Sequence, residues 1–209
     1  MPGIAVKCPP DDAGFADSPL HGLAAQRQLV RSVLPFCTAR RRAVDVGAHI
    51  GTWSLHLADA FDHVEAFEPV GANFDCLAEN TKDCLNVTWY PVAAGKGHGK
   101  CRIERHGDNS GTGYVLPGKD MVIVPLDMYY WPDVDFIKID VEGMEGDVLL
   151  GAADTLVRSR PAVFFEDNGL GIKLYGEKWV DPKVVLRFLG YRHRVRVAKN
   201  ELWTCSGSR

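Results

Sequence analysis

Ala43-Val-Asp-Val-Gly-Ala-His-Ile-Gly-Thr52 and, a short distance on, Val64-Glu-Ala-Phe-Glu-Pro69 decide how the chain is read. Ala43 to Val46 is a short run, apolar except for Asp45, that enters a glycine, as a buried parallel strand does when it ends in a tight turn. From Ile50 the apolar residues recur at helical spacing (Ile50, Trp53, Leu57, Ala58, Phe61), so a helix leaves the turn. His63 to Phe67 is a second apolar run, and it ends in Glu68. That acid stands about twenty positions beyond Gly47, where a nucleotide-binding βαβ unit places the carboxylate that holds a ribose.

The glycines narrow the ligand. A dinucleotide site uses G-x-G-x-x-G to bring backbone against a pyrophosphate at a helix N-terminus. Here Gly47 is followed by His49 and Thr52 where the second and third glycines would stand. A ligand with a ribose and no phosphate escapes that objection, and S-adenosylmethionine is one. Its amino-acid end needs room at Gly47 and Gly51, and its ribose diol needs Glu68. A glycine turn with no ligand remains the alternative.

The 209 residues suffice for one α/β domain: an N-terminal arm and helix over 1–40 and a core over 43–205. A net charge of −3 argues against non-specific nucleic-acid binding. No apolar run approaches the ~20 residues that span a bilayer, and no signal-peptide core opens the sequence. Six cysteines without a C-x-x-C pair suggest free thiols in a reducing, cytoplasmic setting.

Residues 1–17 read as an irregular arm, and Ser18-Pro19 as the start of a helix ending near Pro35. Beyond Glu68, a helix over 71–83 precedes a third strand over 87–92. The glycine-rich 95–125 reads as an antiparallel β insertion where a crossover helix belongs, with 109–113 as a flexible loop. A strand over 135–140, one helix over 143–157, a strand over 162–165, a glycine-rich loop through Gly176 and a helix from Asp181-Pro182 follow. Residues 191–197 and 201–205 form a terminal hairpin, with Arg192, Arg194 and Arg196 on one face. They guard a sheet edge or meet an acidic acceptor.

Ligands of an open parallel sheet bind outside the C-terminal strand ends. Three such ends carry polar groups: Gly47-Ala-His49, Asp140-Val-Glu142 and Glu166-Asp167-Asn168. Side-chain oxygens gathered there suit a cation or an activated hydroxyl. Asp140 is the first choice to take a hydroxyl's proton, with Glu142 and Glu166 in reserve. Asp140, Asp167 and Asn168 offer three oxygen donors suited to Mg2+, unless Asn168 caps a turn. Glu142 and Glu145 have a second explanation as acids favoured by a helix dipole. Lys138, inside an apolar strand, needs a buried partner, and Asp45 on the adjacent strand is the nearest.

Together with Val124-Pro-Leu-Asp127, Asn73-Phe74, Asn80 and Asp135-Phe-Ile-Lys-Ile-Asp-Val-Glu-Gly-Met-Glu145, these motifs resemble the FkbM family of class I S-adenosylmethionine-dependent methyltransferases. The resemblance covers about residues 43–166. It implies a Rossmann-like α/β fold with a seven-stranded, mostly parallel sheet of order 3-2-1-4-5-7-6, strand 7 antiparallel. It also implies O-methylation of a small-molecule or glycan hydroxyl. By position, Asp45, Gly47, Gly51, Glu68 and Asn73, with Ala48, His49 and Pro69 from the same motifs, would surround the cofactor, and Asp140 would border both cofactor and acceptor. A looser resemblance, of Asp140 with Asp167-Asn168, is to the metal site of catechol-type O-methyltransferases. An NAD-dependent oxidoreductase and a non-catalytic nucleotide-binding module are the rival readings.

Overall fold

Strand β1 (Arg42–Val46) lies at the centre because it is apolar on both faces: every residue after Arg42 is buried. It pairs in parallel with β2 (His63–Phe67) on one side and β8 (Val134–Ile139) on the other. The computed structural model describes residues 6–10, 12, 22–105, 111 and 113–205. The helix start expected at Ser18-Pro19 and most of the expected 109–113 loop lie outside these. Outward from β2 comes β3 (Val87–Tyr90). Outward from β8 come β9 (Ala162–Glu166), β11 (Asn200–Cys205) and β10 (Tyr191–Val197). Only β11 runs against its neighbours. Numbered within this sheet, the order is the expected 3-2-1-4-5-7-6, and the fold is that of class I methyltransferases.

The period of two along each strand divides the core. Ala43, Val64, Phe136, Phe164 and Leu202 face helices α1 (Leu23–Val33) and α2 (Thr52–Ala58), where Trp53 stacks on Phe136 at 6.3 Å. Helix α3 (Gly71–Thr81) covers Ala66 on the same side through Leu77. Val44, Val46, Ile137, Ile139 and Phe165 face the opposite layer: α4 (Glu145–Leu150), α5 (Ala153–Ser159) and α7 (Pro182–Phe188). Between β3 and β8, four short strands form a second sheet: β4 (Ala93–Ala94), β5 (Gly99–Arg105), β6 (Gly113–Pro117) and β7 (Met121–Val124). The expected insertion is there, although β4 and β7 pair in parallel.

Three expectations change. The helix over 143–157 is two helices, α4 and α5. Asp127 enters at the break: its N–H donates to Gly151 C=O, and its carboxylate accepts the N–H groups of Asp154 and Thr155 at 2.9 Å each. An outside carboxylate that caps a new first turn ends the old helix. The glycine-rich stretch before Gly176 is not all loop but contains α6 (Leu170–Tyr175). The three arginines of β10 do not share one face either. The register slips at Arg194, so Arg192 opposes Thr204 while Arg196 opposes Glu201, one residue out of phase.

The turn after β1 is left-handed at Gly47 (φ +74°), His49 (φ +53°) and Gly51 (φ +88°). A Cβ on Gly47 would meet the Asp140 carbonyl oxygen at 1.9 Å, so this glycine is the one held against the facing strand. A Cβ on Gly51 would meet Leu77 Cδ1 at 2.8 Å, so Gly51 abuts α3. Gly47→Ala should therefore cost about 3 kcal/mol or more, since backbone must move. Gly51→Ala should cost about 1–2 kcal/mol, the left-handed penalty plus a side chain that can give way. Urea unfolding of the two variants, compared with wild type, measures both.

Candidate active site

The C-terminal ends of β1, β2, β8 and β9 open into a cavity of about 510 Å³, within the range of small-molecule sites. Its floor is built by the turn Gly47-Ala48-His49, by Glu68 and Pro69 after β2, and by Asn73 on α3. The far end carries Asp140, Glu142, Glu166 and Asn168. Gln26 and Leu29 of α1 close one side, and Ile103 and Val115 of the insertion close another.

Glu68 is 5% exposed, and both its oxygens are held by the chain itself. His49 N–H donates to Oε2 and Val70 N–H to Oε1, each at 2.9 Å, while the Asn73 carboxamide approaches Oε1 at 3.5 Å. These donors fix the carboxylate's direction, and Oε2 keeps a second lone pair. Burial pushes the Glu68 carboxyl up to about 7; the bonds from Val70 and His49 oppose that rise.

Under the turn, Lys138 Nζ donates to Gly47 C=O at 2.7 Å and lies 3.2 Å from Asp45 Oδ1 and 3.7 Å from Asp140 Oδ2. Asp45 also accepts from the Ser54 hydroxyl at 2.7 Å and is fully buried. The expected Lys138–Asp45 pair is therefore present, and it accounts for Asp45 differently from a cofactor contact: its carboxylate lies below the cavity. Gly51 does not line the cavity either. Burial alone would lower the Lys138 pKa, but Asp45 and Asp140 outweigh it and hold the ammonium charged.

At the far end, oxygens of Asp140, Glu142 and Glu166 lie within 4.8 Å of one another. Glu142 is not in a helical turn as expected; it precedes α4 in a left-handed conformation (φ +52°), which turns its carboxylate to its acidic neighbours. The helix-start account fits Glu145 alone, whose Oε1 accepts the Gly143 N–H at 3.0 Å. Burial, then Asp140 and Glu166, push the Glu142 carboxyl up to about 8. Burial and Asp140 likewise push Glu166 up to about 7, against the pull of Lys199 and Lys138.

The expected trio of Asp140, Asp167 and Asn168 is not assembled. Asp167 is bonded to Lys183 at 2.9 Å and lies 4.0 Å from Arg196. Asn168 closes the turn that leads into α6: its Oδ1 accepts the Leu170 N–H at 2.8 Å and its amide donates to Glu166 at 2.9 Å. Sequence reading missed Gln26, Trp53, Phe164 and Lys199, which also line the cavity. Trp53 and Phe164 read as plain core, which they also are, and no local signal separates the two roles.

A seven-stranded sheet in this order, with a strand-end cavity walled by a buried acid after β2, defines the class I methyltransferase fold. Solved structures of that class superpose on it. FkbM methyltransferase from Methylobacillus flagellatus KT matches with a TM-score of 0.57 and 19% identity over 95% of this chain. This chain spans 48% of that protein, about half its length. Precorrin-6y C5,15-methyltransferase from Geobacter metallireducens GS-15 matches at TM-score 0.54 and 13% identity, over 95% of this chain and 97% of its own. The N-methyltransferase NodS from Bradyrhizobium japonicum WM9 matches at 0.52 and 13%, over 90% and 98%. Among curated proteins no relative matches the sequence. The model of the methyltransferase FkbM domain matches residues 45–193, and the chain belongs to that family. No helix among the described residues is long and apolar enough to cross a membrane.

The acidic cluster has a thermodynamic signature. Glu142 has a folded-state pKa of about 8, above the ordinary carboxylate value of 4.5, so folding favours its protonated form. Its contribution to stability is present at low pH and is lost as pH rises from the unfolded value through about 8. Glu142→Gln removes the titration and keeps an acceptor oxygen. The variant should melt roughly 2–6 °C above wild type at about pH 8.5 and nearly with it at about pH 5. Calorimetric scans at the two pH values check the difference.

Proposed function

We propose that the chain binds S-adenosylmethionine in this cavity and methylates a hydroxyl of a small molecule or glycan. Glu68 carries the cofactor reading: a buried carboxylate, aimed by backbone donors and with a lone pair to spare on Oε2, suits a ribose hydroxyl. The lining fits the rest of that ligand. Glu68, Asp140, Glu142 and Glu166 make the cavity acidic, which favours a sulfonium and an ammonium. The same four acids, with His49 at the turn, oppose the pyrophosphate of NAD, so the oxidoreductase reading is set aside.

Bound there, S-adenosylmethionine supplies a methyl carbon already activated by positive sulfur, so the protein's tasks are alignment and proton removal. The turn from Gly47 to His49 shapes the floor, and Glu68 with Asn73 orients the sugar end. The Asp140–Glu142–Glu166 carboxylates accept the acceptor's hydroxyl proton. The raised pKa values of Glu142 and Glu166 place the base close to neutrality, where it is most effective.

Glu68→Gln should weaken binding of S-adenosylhomocysteine roughly ten- to a hundredfold, the loss of charge-assisted hydrogen bonds. In wild type the affinity should also fall as pH drops below about 7, where Glu68 takes a proton, and Glu68→Gln should flatten that dependence. Isothermal calorimetry across pH reads both; unchanged affinity in the variant removes the ribose assignment.

Turnover separates the enzyme from a binding module that has lost catalysis. A mass-spectrometric screen of hydroxylated acceptors with labelled S-adenosylmethionine should find a methylated product. Its rate should fall on the acid side as the cluster is protonated and persist in excess chelator. Loss of activity in chelator with rescue by magnesium would instead assign the Asp140–Glu142–Glu166 oxygens to an ion.

A further inference from the structure

Residues 6–10 and 12 lie across the cofactor turn, tied down by one side chain that the site description leaves unused. Asn80, near the end of α3, accepts the Lys7 N–H at 2.8 Å and donates back to Lys7 C=O at 2.9 Å. This two-way bond to one residue's backbone imitates a strand pair. The same carboxamide nitrogen donates to Ile50 C=O, in the cofactor turn, at 2.8 Å. A single carboxamide thus joins the arm, α3 and the turn.

The arm touches the turn a second time. Asp12 is 3% exposed, its N–H donates to Pro9 C=O, and its carboxylate lies 3.9 Å from His49 Nε2. His49 is the residue whose own N–H aims Glu68. The arm therefore grips the turn at Ile50 through Asn80 and at His49 through Asp12, one residue from each other and one hydrogen bond from the ribose acceptor.

We infer that Asn80 is a positioning residue, which seats the N-terminal arm as a strap on the cofactor turn so that arm docking and cofactor binding reinforce each other. The inference rests on the cofactor reading above and goes beyond it by assigning a role to the arm. Coupling of this kind is reciprocal: if the seated arm tightens cofactor binding, bound cofactor must tighten the arm by the same factor.

Both directions can be read without an acceptor. Trypsin cleavage after Lys7, followed by mass spectrometry of the fragment that begins at Cys8, reports on the arm. Calorimetry with S-adenosylhomocysteine reports on the site. In wild type, saturating S-adenosylhomocysteine should slow the cleavage several-fold. In Asn80→Ala the dissociation constant should rise on the order of tenfold, as expected from the loss of three neutral hydrogen bonds, and the protection should disappear. Asp12→Asn leaves α3 untouched and should weaken binding less, in the same direction, so a folding defect in Asn80→Ala would not decide the matter. Cleavage that is indifferent to S-adenosylhomocysteine, or affinities within twofold of wild type in both variants, overturns the inference while the cofactor reading stands. Wild type that binds no S-adenosylhomocysteine overturns both, and that result is visible before any variant is made.

Discussion

The buried pair of Lys138 and Asp45 is the constraint on which the rest of the molecule depends. It joins the two central strands at the level where they end, and Lys138 also holds the carbonyl of Gly47. Two charges this deep recover their desolvation cost only when nearly every remaining valence is used. Ser54 takes one Asp45 oxygen, and Lys138 spreads its protons over Asp45, Gly47 and the approach of Asp140. Removal of either partner would leave a buried charge unmatched, typically a loss of about 3–5 kcal/mol. The turn is thus rigid because a charge beneath it has no alternative partner of equal quality.

The same ammonium makes an acidic cavity tolerable. Glu68, Asp140, Glu142 and Glu166 converge on one space; burial pushes the Glu68 carboxyl up to about 7, and burial together with neighbouring acids pushes Glu166 up to about 7 and Glu142 up to about 8. Lys138 pulls against that rise at both Glu68 and Glu166. Acids gathered in this way are favoured by a positive charge among them. Glu142 adds backbone strain, since a non-glycine residue in the left-handed region is held there only by its surroundings. Stability is given up where function would use it.

The features legible in the sequence were those written in short, local patterns. Ala43 to Gly47, His63 to Glu68 and Asp135 to Asp140 declare buried strands with polar ends, and the Lys138–Asp45 pair follows from the rarity of a lysine in such a strand. What stayed hidden was decided by residues distant in the chain. The break between α4 and α5 is imposed by Asp127, 27 and 28 positions upstream of its capped N–H groups, where no helical periodicity registers it. The slip at Arg194 is a matter of pairing with β11, and the alternation of arginines looks regular without it. Asp167 read as a metal ligand because its neighbours at the strand end offer oxygen donors, yet Lys183, on α7, takes its carboxylate.

The two halves of the cavity differ in how they are built. The half around Gly47, Glu68 and Asn73 comes from one contiguous βαβ unit and lies inside the matched family segment, 45–193. The other half gathers Gln26 and Leu29 from before that segment, Lys199 and Asn200 from after it, and Ile103 and Val115 from the insertion. Those strands of the insertion are not anchored to the main sheet by pairing; β6 is an edge, and Tyr175 of α6 holds it by exchanging hydrogen bonds with the backbone of Val115 at 3.1 and 3.2 Å. A contiguous unit must keep its spacing to keep its turn, whereas walls borrowed from separate segments can change one at a time without disturbing Glu68. The architecture therefore joins one contiguous half, whose spacing is fixed, to a half whose walls can vary separately.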